Sequence, residues 1–273
     1  MAGTTRRLVD YRISNGVAWL QLANPPLNSC THEMMRDLDD AILHARLDDG
    51  AHVLVLSGAG EEAFCGGADA NMLNAVTPSF RYHFFLHAEE TLSRLERTPK
   101  LAIAALNGRA WGSGLAIALA ADLRIALDNV SLPAERRATL GLPEVTLGLL
   151  PGLGAPQRLS RLVARSLALD MMLTGEEVPL ARARDVGLVD QVWECASAAE
   201  FAERIQRYAE GFCPPSKATG AVGLIKRLAR GGSEAGLEQA LERELLHRLL
   251  ESDDAEEGLR AFLAGREPEF RGR

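Results

Sequence analysis

From Tyr11 to Leu22 apolar, strand-forming residues stand on both sides of a polar break at Asn15-Gly16. That pair favours a tight type I′ turn, so the segment predicts a β-hairpin. Asn24-Pro25-Pro26 ends it. The period then changes: Met34, Leu38, Ile42 and Ala45 recur at helical spacing. Ser29 or Thr31 is available as the cap, and Asp48-Asp49-Gly50 as the stop. Val53 to Leu56 is a short, wholly apolar run, which predicts a buried strand. It leads through Gly58-Ala59-Gly60 and the segment Ala63 to Asp69 into Ala70-Asn71-Met72-Leu73.

After Met72 the pattern loosens, then becomes helical from Phe80 to Leu95, with Phe84, His87, Leu92 and Leu95 directed inward. Pro99 ends that helix. Leu101 to Leu106 is a second apolar strand, Asn107-Gly108 breaks it, and Gly112-Ser113-Gly114 opens a run of Ala, Leu and Ile up to Ala121 that predicts a buried helix. Leu123 to Ala126 predicts a strand and Val130 to Leu140 a surface loop. From Gly141 to Gly154 repeated Gly and Pro break up strand-like pieces, as in a short strand feeding a loop under a pocket. Helices are expected at Leu159 to Leu173 and Pro179 to Ala183, and a strand at Val189 to Trp193. Beyond Ala196 the pattern is helical throughout: Ala196 to Gly211, Ala218 to Ala229, Leu237 to Leu250 and Ala255 to Ala264. The alternating body fits an α/β or α+β architecture. Two units follow, a body over 1–195 and a helical region over 196–273.

Composition narrows the classes. The chain has 273 residues, 47% hydrophobic, with a formal net charge of −7. That charge disfavours nucleic acid as the main partner. No apolar run has the length of a membrane span, and the first residues lack the apolar core of a secretory signal. The four cysteines, Cys30, Cys65, Cys195 and Cys213, form no metal-ligand spacing, so no metal is expected. Few cysteines and no leader point to the cytoplasm.

The chemistry begins with the two glycine turns. Each follows a strand and opens a helix, and the first N–H groups of a helix have no partner inside it. Two such turns can each aim one N–H at a single oxygen, the geometry of an oxyanion hole. Trp111 stands where a serine-hydrolase elbow needs glycine, so Ser113 is not read as a nucleophile. Neither turn has a dinucleotide or phosphate-loop spacing. Glu144 lies in the nearly apolar stretch Leu142 to Gly148, where desolvation raises a carboxyl pKa toward the range useful for proton transfer. Asp69 and Asp122 read as caps or backbone partners, His87 as a packed core or surface histidine more than as a pocket residue, and Glu242, Arg243, Glu244 and Arg248 as a solvated helix face.

Three motifs carry a family resemblance: Ala63-Phe-Cys-Gly-Gly-Ala-Asp69, Asn107-Gly-Arg-Ala-Trp-Gly-Ser-Gly114, and Leu142 to Gly154. Thr174-Gly175, Ala183, Gly187 to Asp190 and Glu257 to Phe262 add to them. In this order they resemble the crotonase superfamily, the enoyl-CoA hydratase/isomerase family, over nearly the whole chain. The resemblance implies a spiral of strand–strand–helix turns with a C-terminal helical trimerisation region, and a homotrimer or dimer of trimers. It implies an acyl-CoA thioester as ligand, with coenzyme A part of the substrate and no separate cofactor. The N–H groups of Ala68 and Ser113 then hold the thioester oxygen as it becomes an enolate, and Glu144 moves the proton. Leu27, Ser29, Cys30, Gly66, Ala68, Asp69, Ala70 and Phe262, the last from a neighbouring subunit, form the coenzyme A site.

The sequence departs from the family pattern in places. Family hydratases use two glutamates; the second matches Glu144, and Ala116 stands where the first belongs. One carboxylate suits C=C isomerisation better than water addition, so isomerisation is the first reading. Hydration by Glu144, alone or aided by Glu135, is the second, and a non-catalytic acyl-CoA-binding subunit the third. Decarboxylation or hydrolysis through the same enolate also remains open. Asn24-Pro-Pro-Leu27 lacks a basic residue that the family often carries near the coenzyme A phosphates, with Arg266 as a possible replacement.

Overall fold

The structure, a computed structural model, describes residues 7–133, 137–229, 253–264, 266 and 268–271. Glu135, the helix expected over 237–250 and the charged face at 242–248 lie outside the described residues. The hairpin forms as β1 (Val9–Ser14) and β2 (Val17–Leu22), antiparallel, with Asn15 and Gly16 both at positive φ as the turn requires. Thr31 caps α1 (His32–Leu47) by accepting from the Met34 N–H, and its buried face is Met34, Met35, Leu38, Ala41, Ile42 and Ala45.

Three turns of one design follow. β3 (Val53–Gly58) leads to β4 (Ala63–Cys65) and α2 (Ala70–Ala75). After the long helix α3 (Pro78–Arg97), β5 (Leu101–Leu106) leads to β6 (Arg109–Trp111) and α4 (Ser113–Ala120). Then β7 (Leu123–Asn129) leads to β8 (Thr139–Gly141) and a short 3-10 helix, Pro143–Leu147. The first strand of each turn joins a six-stranded sheet of order β1-β2-β3-β5-β7-β10, where β10 is Gln191–Cys195. The second joins a four-stranded sheet, β4-β6-β8-β9, where β9 is Val178–Pro179. Pairing from β2 to β10 is parallel, with Val53 opposite Leu101 and Ile103 opposite Leu123. The result is the strand–strand–helix spiral. The third turn was not visible as a repeat in the sequence, because the irregular stretch before Thr139 separates its two strands.

One expected helix divides. Leu159 to Leu173 falls on α5 (Ala155–Leu162) and α6 (Arg165–Thr174), parted where Val163 is extended at φ −121 and ψ 167. α7 (Leu180–Asp185) begins after Pro179 and β10 starts at Gln191, each slightly later than expected. Downstream, α8 (Ala198–Glu210) lies across the outer face of the large sheet. Phe201, Ile205 and Ala209 join Trp19, Val55, Ile103 and Leu127 in that layer, all buried. The inner face packs on α1, α3 and α4 through Leu20, Leu54, Leu56, Phe84, Leu92 and Leu115. α9 (Thr219–Ala229) is fixed by Lys226, whose ammonium reaches Asp122 at 2.8 Å and the Lys100 carbonyl at 3.0 Å. A last helix runs Asp253–Ala264.

Candidate active site

Glycine sets the distances at the centre. A Cβ on Gly114 would collide with the backbone carbonyl of Cys65, so the start of α4 presses directly on β4. A Cβ on Gly67 would stand 3.1 Å from the Trp111 carbonyl oxygen, and one on Gly112 3.0 Å from Glu144 Oε1. Gly67 and Gly112 hold φ +100 and +50, which L side chains rarely adopt. The two turns predicted as oxyanion donors therefore touch, and the acid stands against them.

Each turn has an unspent N–H at its expected donor. Ala68 pairs with Cys30 in an isolated parallel bridge. The bonds of that bridge are Cys30 N–H to Gly67 O at 2.7 Å and Asp69 N–H to Cys30 O at 2.9 Å, so the Ala68 N–H takes no part. Ser113 is the first residue of α4, and its N–H has no acceptor within the helix. Among the described residues neither N–H donates a hydrogen bond. Both residues line one cavity of about 440 Å³.

Glu144 lies on the same cavity, in the 3-10 helix. Pairing of Trp111 with Gly141, and the Gly112 N–H to Gly141 O bond at 2.9 Å, carry β8 alongside β6 and deliver Glu144 beside Gly112. Gly148, at φ +68, closes the 3-10 helix by donating to the Glu144 and Val145 carbonyls. Burial pushes the Glu144 carboxyl above the ordinary glutamate value, opposed by its own backbone N–H. Oε2 is buried with no partner among the described residues.

The rest of the wall is apolar: Leu73 and Phe85, Leu147, Leu149 and Leu150, with Ala70, Pro143 and glycines. Sequence reasoning missed Leu73 and Phe85. His87, which the sequence reads as a packed histidine before a pocket one, does not line the cavity; its ring lies 6.0 Å from that of His32, while Phe85, two residues away, does. Nor did the sequence single out Asn28 and Asn107 as supports. Asn28, fully buried at φ +52, donates to the Ala59 and Ala63 carbonyls, and Asn107 accepts from Gly58 and donates to Gly60 O. The only signal was their position beside Pro and Gly breaks.

The residues expected to hold coenzyme A gather around the first turn, Phe262 excepted. The Gly66 N–H donates to Leu27 O at 2.7 Å, and the Ser29 carbonyl accepts from Asn24. Cys30 is wholly buried, its Sγ 3.4 Å from Cys65 Sγ, so it holds the 67–69 segment through its backbone. Asp69 caps α2 by accepting from Met72 N–H at 2.7 Å, and Ala70 lines the cavity. Phe262 lies on the last helix. Arg266 is engaged by Glu257 at 2.6 Å. Asp122 accepts from the Ala102 N–H, as a backbone partner should. Ala116 is 1% exposed and brings no polar group. A larger groove, about 930 Å³, runs between β1 and α1 past Tyr11 and His44 and contains none of these residues.

A family model described as enoyl-CoA hydratase/isomerase matches residues 12–273. The chain is 34% identical over 271 residues to the (E)-benzylidenesuccinyl-CoA hydratase of Thauera aromatica, covering 97% of this chain and 99% of that one. It is 32% identical over 257 residues to the 2,3-dehydroadipyl-CoA hydratase of Escherichia coli K12, covering 90% and 91%. A crystal structure of an enoyl-CoA hydratase from Geobacillus kaustophilus superposes with a TM-score of 0.89 at 35% identity, over 99% of this chain and 98% of that one.

Proposed function

The chain belongs to the enoyl-CoA hydratase/isomerase family and is an enzyme of the crotonase type acting on an acyl-CoA thioester, and from that premise we propose that it adds water to a 2-enoyl-CoA. The thioester oxygen takes hydrogen bonds from the Ala68 and Ser113 N–H groups, which stabilise it as negative charge develops. Glu144, ionised at the start, removes a proton from water and returns it to C2. The observation that carries this reading is the contact of three parts: two unspent N–H groups and a desolvated carboxyl on one apolar cavity. The hydratase names of relatives such as that of Thauera aromatica support water addition over the isomerisation that the sequence alone favoured.

Double-bond migration is kept as the second reading for one reason. Glu144 is the only titratable side chain lining the cavity among the described residues. Glu144→Ala, assayed with 2-enoyl-CoA and 3-enoyl-CoA, should lose about a hundredfold or more in turnover of whichever substrate the enzyme accepts. Unchanged rates on both sink the assignment. Family membership also supports a homotrimer or dimer of trimers built through the helical C-terminal region, which sedimentation of the purified protein tests.

A further inference from the structure

Besides Glu144, one protic side chain lines the cavity among the described residues, the hydroxyl of Ser113. Ser113 is only 6% exposed. Its Oγ makes no hydrogen bond among the described residues, yet it is not one of the sealed, unpartnered atoms, which are Ser57 Oγ, His87 Nδ1, Asp128 Oδ1 and Glu144 Oε2. Ser113 thus meets the cavity with the donor and acceptor capacity of its hydroxyl unspent among the described residues. Leaving such a group unpaired in a nearly dry site is costly, so the site suits a small polar guest.

Its place on the helix matters too. Ser113 precedes Ala116 by three residues in α4, which puts both on one face. Position 116 is where family hydratases, by the resemblance above, carry their first acid, and here it holds a methyl group. Glu144 stands across from the same turn, its Oε1 beside Gly112.

We propose that Ser113 Oγ holds the attacking water against Glu144, so that one residue serves the enolate through its N–H and the nucleophile through its hydroxyl. The water gives one hydrogen bond to the Glu144 carboxylate and the other to Ser113 Oγ. Its oxygen bonds to C3 as its proton passes to Glu144, and the C2=C3 electron pair moves onto the thioester oxygen. When the enolate collapses, C2 takes the proton from Glu144 and the thioester re-forms. One water is consumed, nothing is oxidised or reduced, and Ser113 keeps its own proton. This role rests on the acid–base reading of Glu144 given above.

Ser113→Ala keeps the backbone N–H and deletes only the hydroxyl. Hydration of 2-enoyl-CoA and double-bond migration of 3-enoyl-CoA are measured in wild type, Ser113→Ala and Glu144→Gln, with circular dichroism to verify folding. Migration needs the enolate donors and Glu144 but no water. The ratio of hydration to migration should therefore fall about tenfold in Ser113→Ala, the effect of losing one hydrogen bond that positions the water. An unchanged ratio overturns the proposal, as does a wild type that migrates the double bond and adds no water. If Glu144→Gln retains both reactions, the acid–base reading itself fails. If it loses both while Ser113→Ala keeps the ratio, only the role of the hydroxyl fails. Should Ser113→Ala not fold, Ser113→Gly deletes the same group and carries the comparison.

Discussion

Glu144 is held in a place where its charge is costly. Its carboxyl pKa lies above the ordinary value because of burial, which its own backbone N–H only partly offsets while Oε2 has no partner among the described residues. As a base in the free enzyme it must be ionised, so kcat/KM should fall on the acid side through this raised pKa, at a higher pH than an ordinary glutamate gives. A pH–rate profile locates the limb, and a limb at the ordinary glutamate value contradicts the assignment. Stability moves in the matching direction. The folded-state pKa exceeds the unfolded one, so the stabilisation is complete below the unfolded value and is lost as pH rises through the folded one. Glu144→Gln should melt higher than wild type at pH 8 and alike at pH 4, a difference that thermal melts at the two pH values reveal. Gly112 is the other sensitive residue. Gly112→Ala forces a side chain into φ +50 and ψ −121 and towards Glu144 Oε1, so activity should drop even if the protein folds, and strain should cost about 1–3 kcal/mol in a denaturant titration.

Among the elements, α4 is the tightest. All eight of its residues are buried, and its Gly114 meets the Cys65 carbonyl with no room for a methyl group. Gly114→Ala should leave little folded protein, since overpacking against backbone has no flexible side chain to absorb it. Soluble expression and circular dichroism check this. Helix and strand periods made α1, α3, α4 and the strands β1, β2, β3, β5 and β7 legible in the sequence, while β4 and β6 were hidden inside the glycine turns, and the apolar flanks of Glu144 marked it. The cavity wall was less legible. Leu73 and Phe85 lie on helices where any apolar residue reads as core, and only the winding of the chain decides which faces the cavity. The split between α5 and α6 was hidden because Val163 and Ala164 continue an apolar pattern while the backbone extends. The third strand–strand–helix turn was hidden because nine residues without a period separate Asn129, the end of β7, from Thr139, the start of β8.

At the scale of the molecule, two sheets share one chain, and the helical region is bound to them. α8 covers the outer face of the large sheet, and α9 is tied by Lys226 to Asp122, at the end of α4. Their side chains are 5% and 12% exposed, so the pair is nearly dry. Lys226→Ala removes the ammonium from a largely buried carboxylate and should cost about 3–5 kcal/mol, read as a lowered midpoint in urea unfolding. Lys226→Ala combined with Asp122→Asn should recover part of that loss.

The two N–H groups proposed to hold the enolate belong to successive windings of the spiral. Ala68 follows β4 and Ser113 follows β6, strands that meet in the small sheet. Each winding supplies one of the two donors, and the carboxyl opposite them arrives with the next. Catalytic competence is thus a property of the seam between windings. During renaturation, turnover should return in step with closure of that seam and lag the recovery of helical signal, which makes the enzyme's own reaction a clock for the step that joins them.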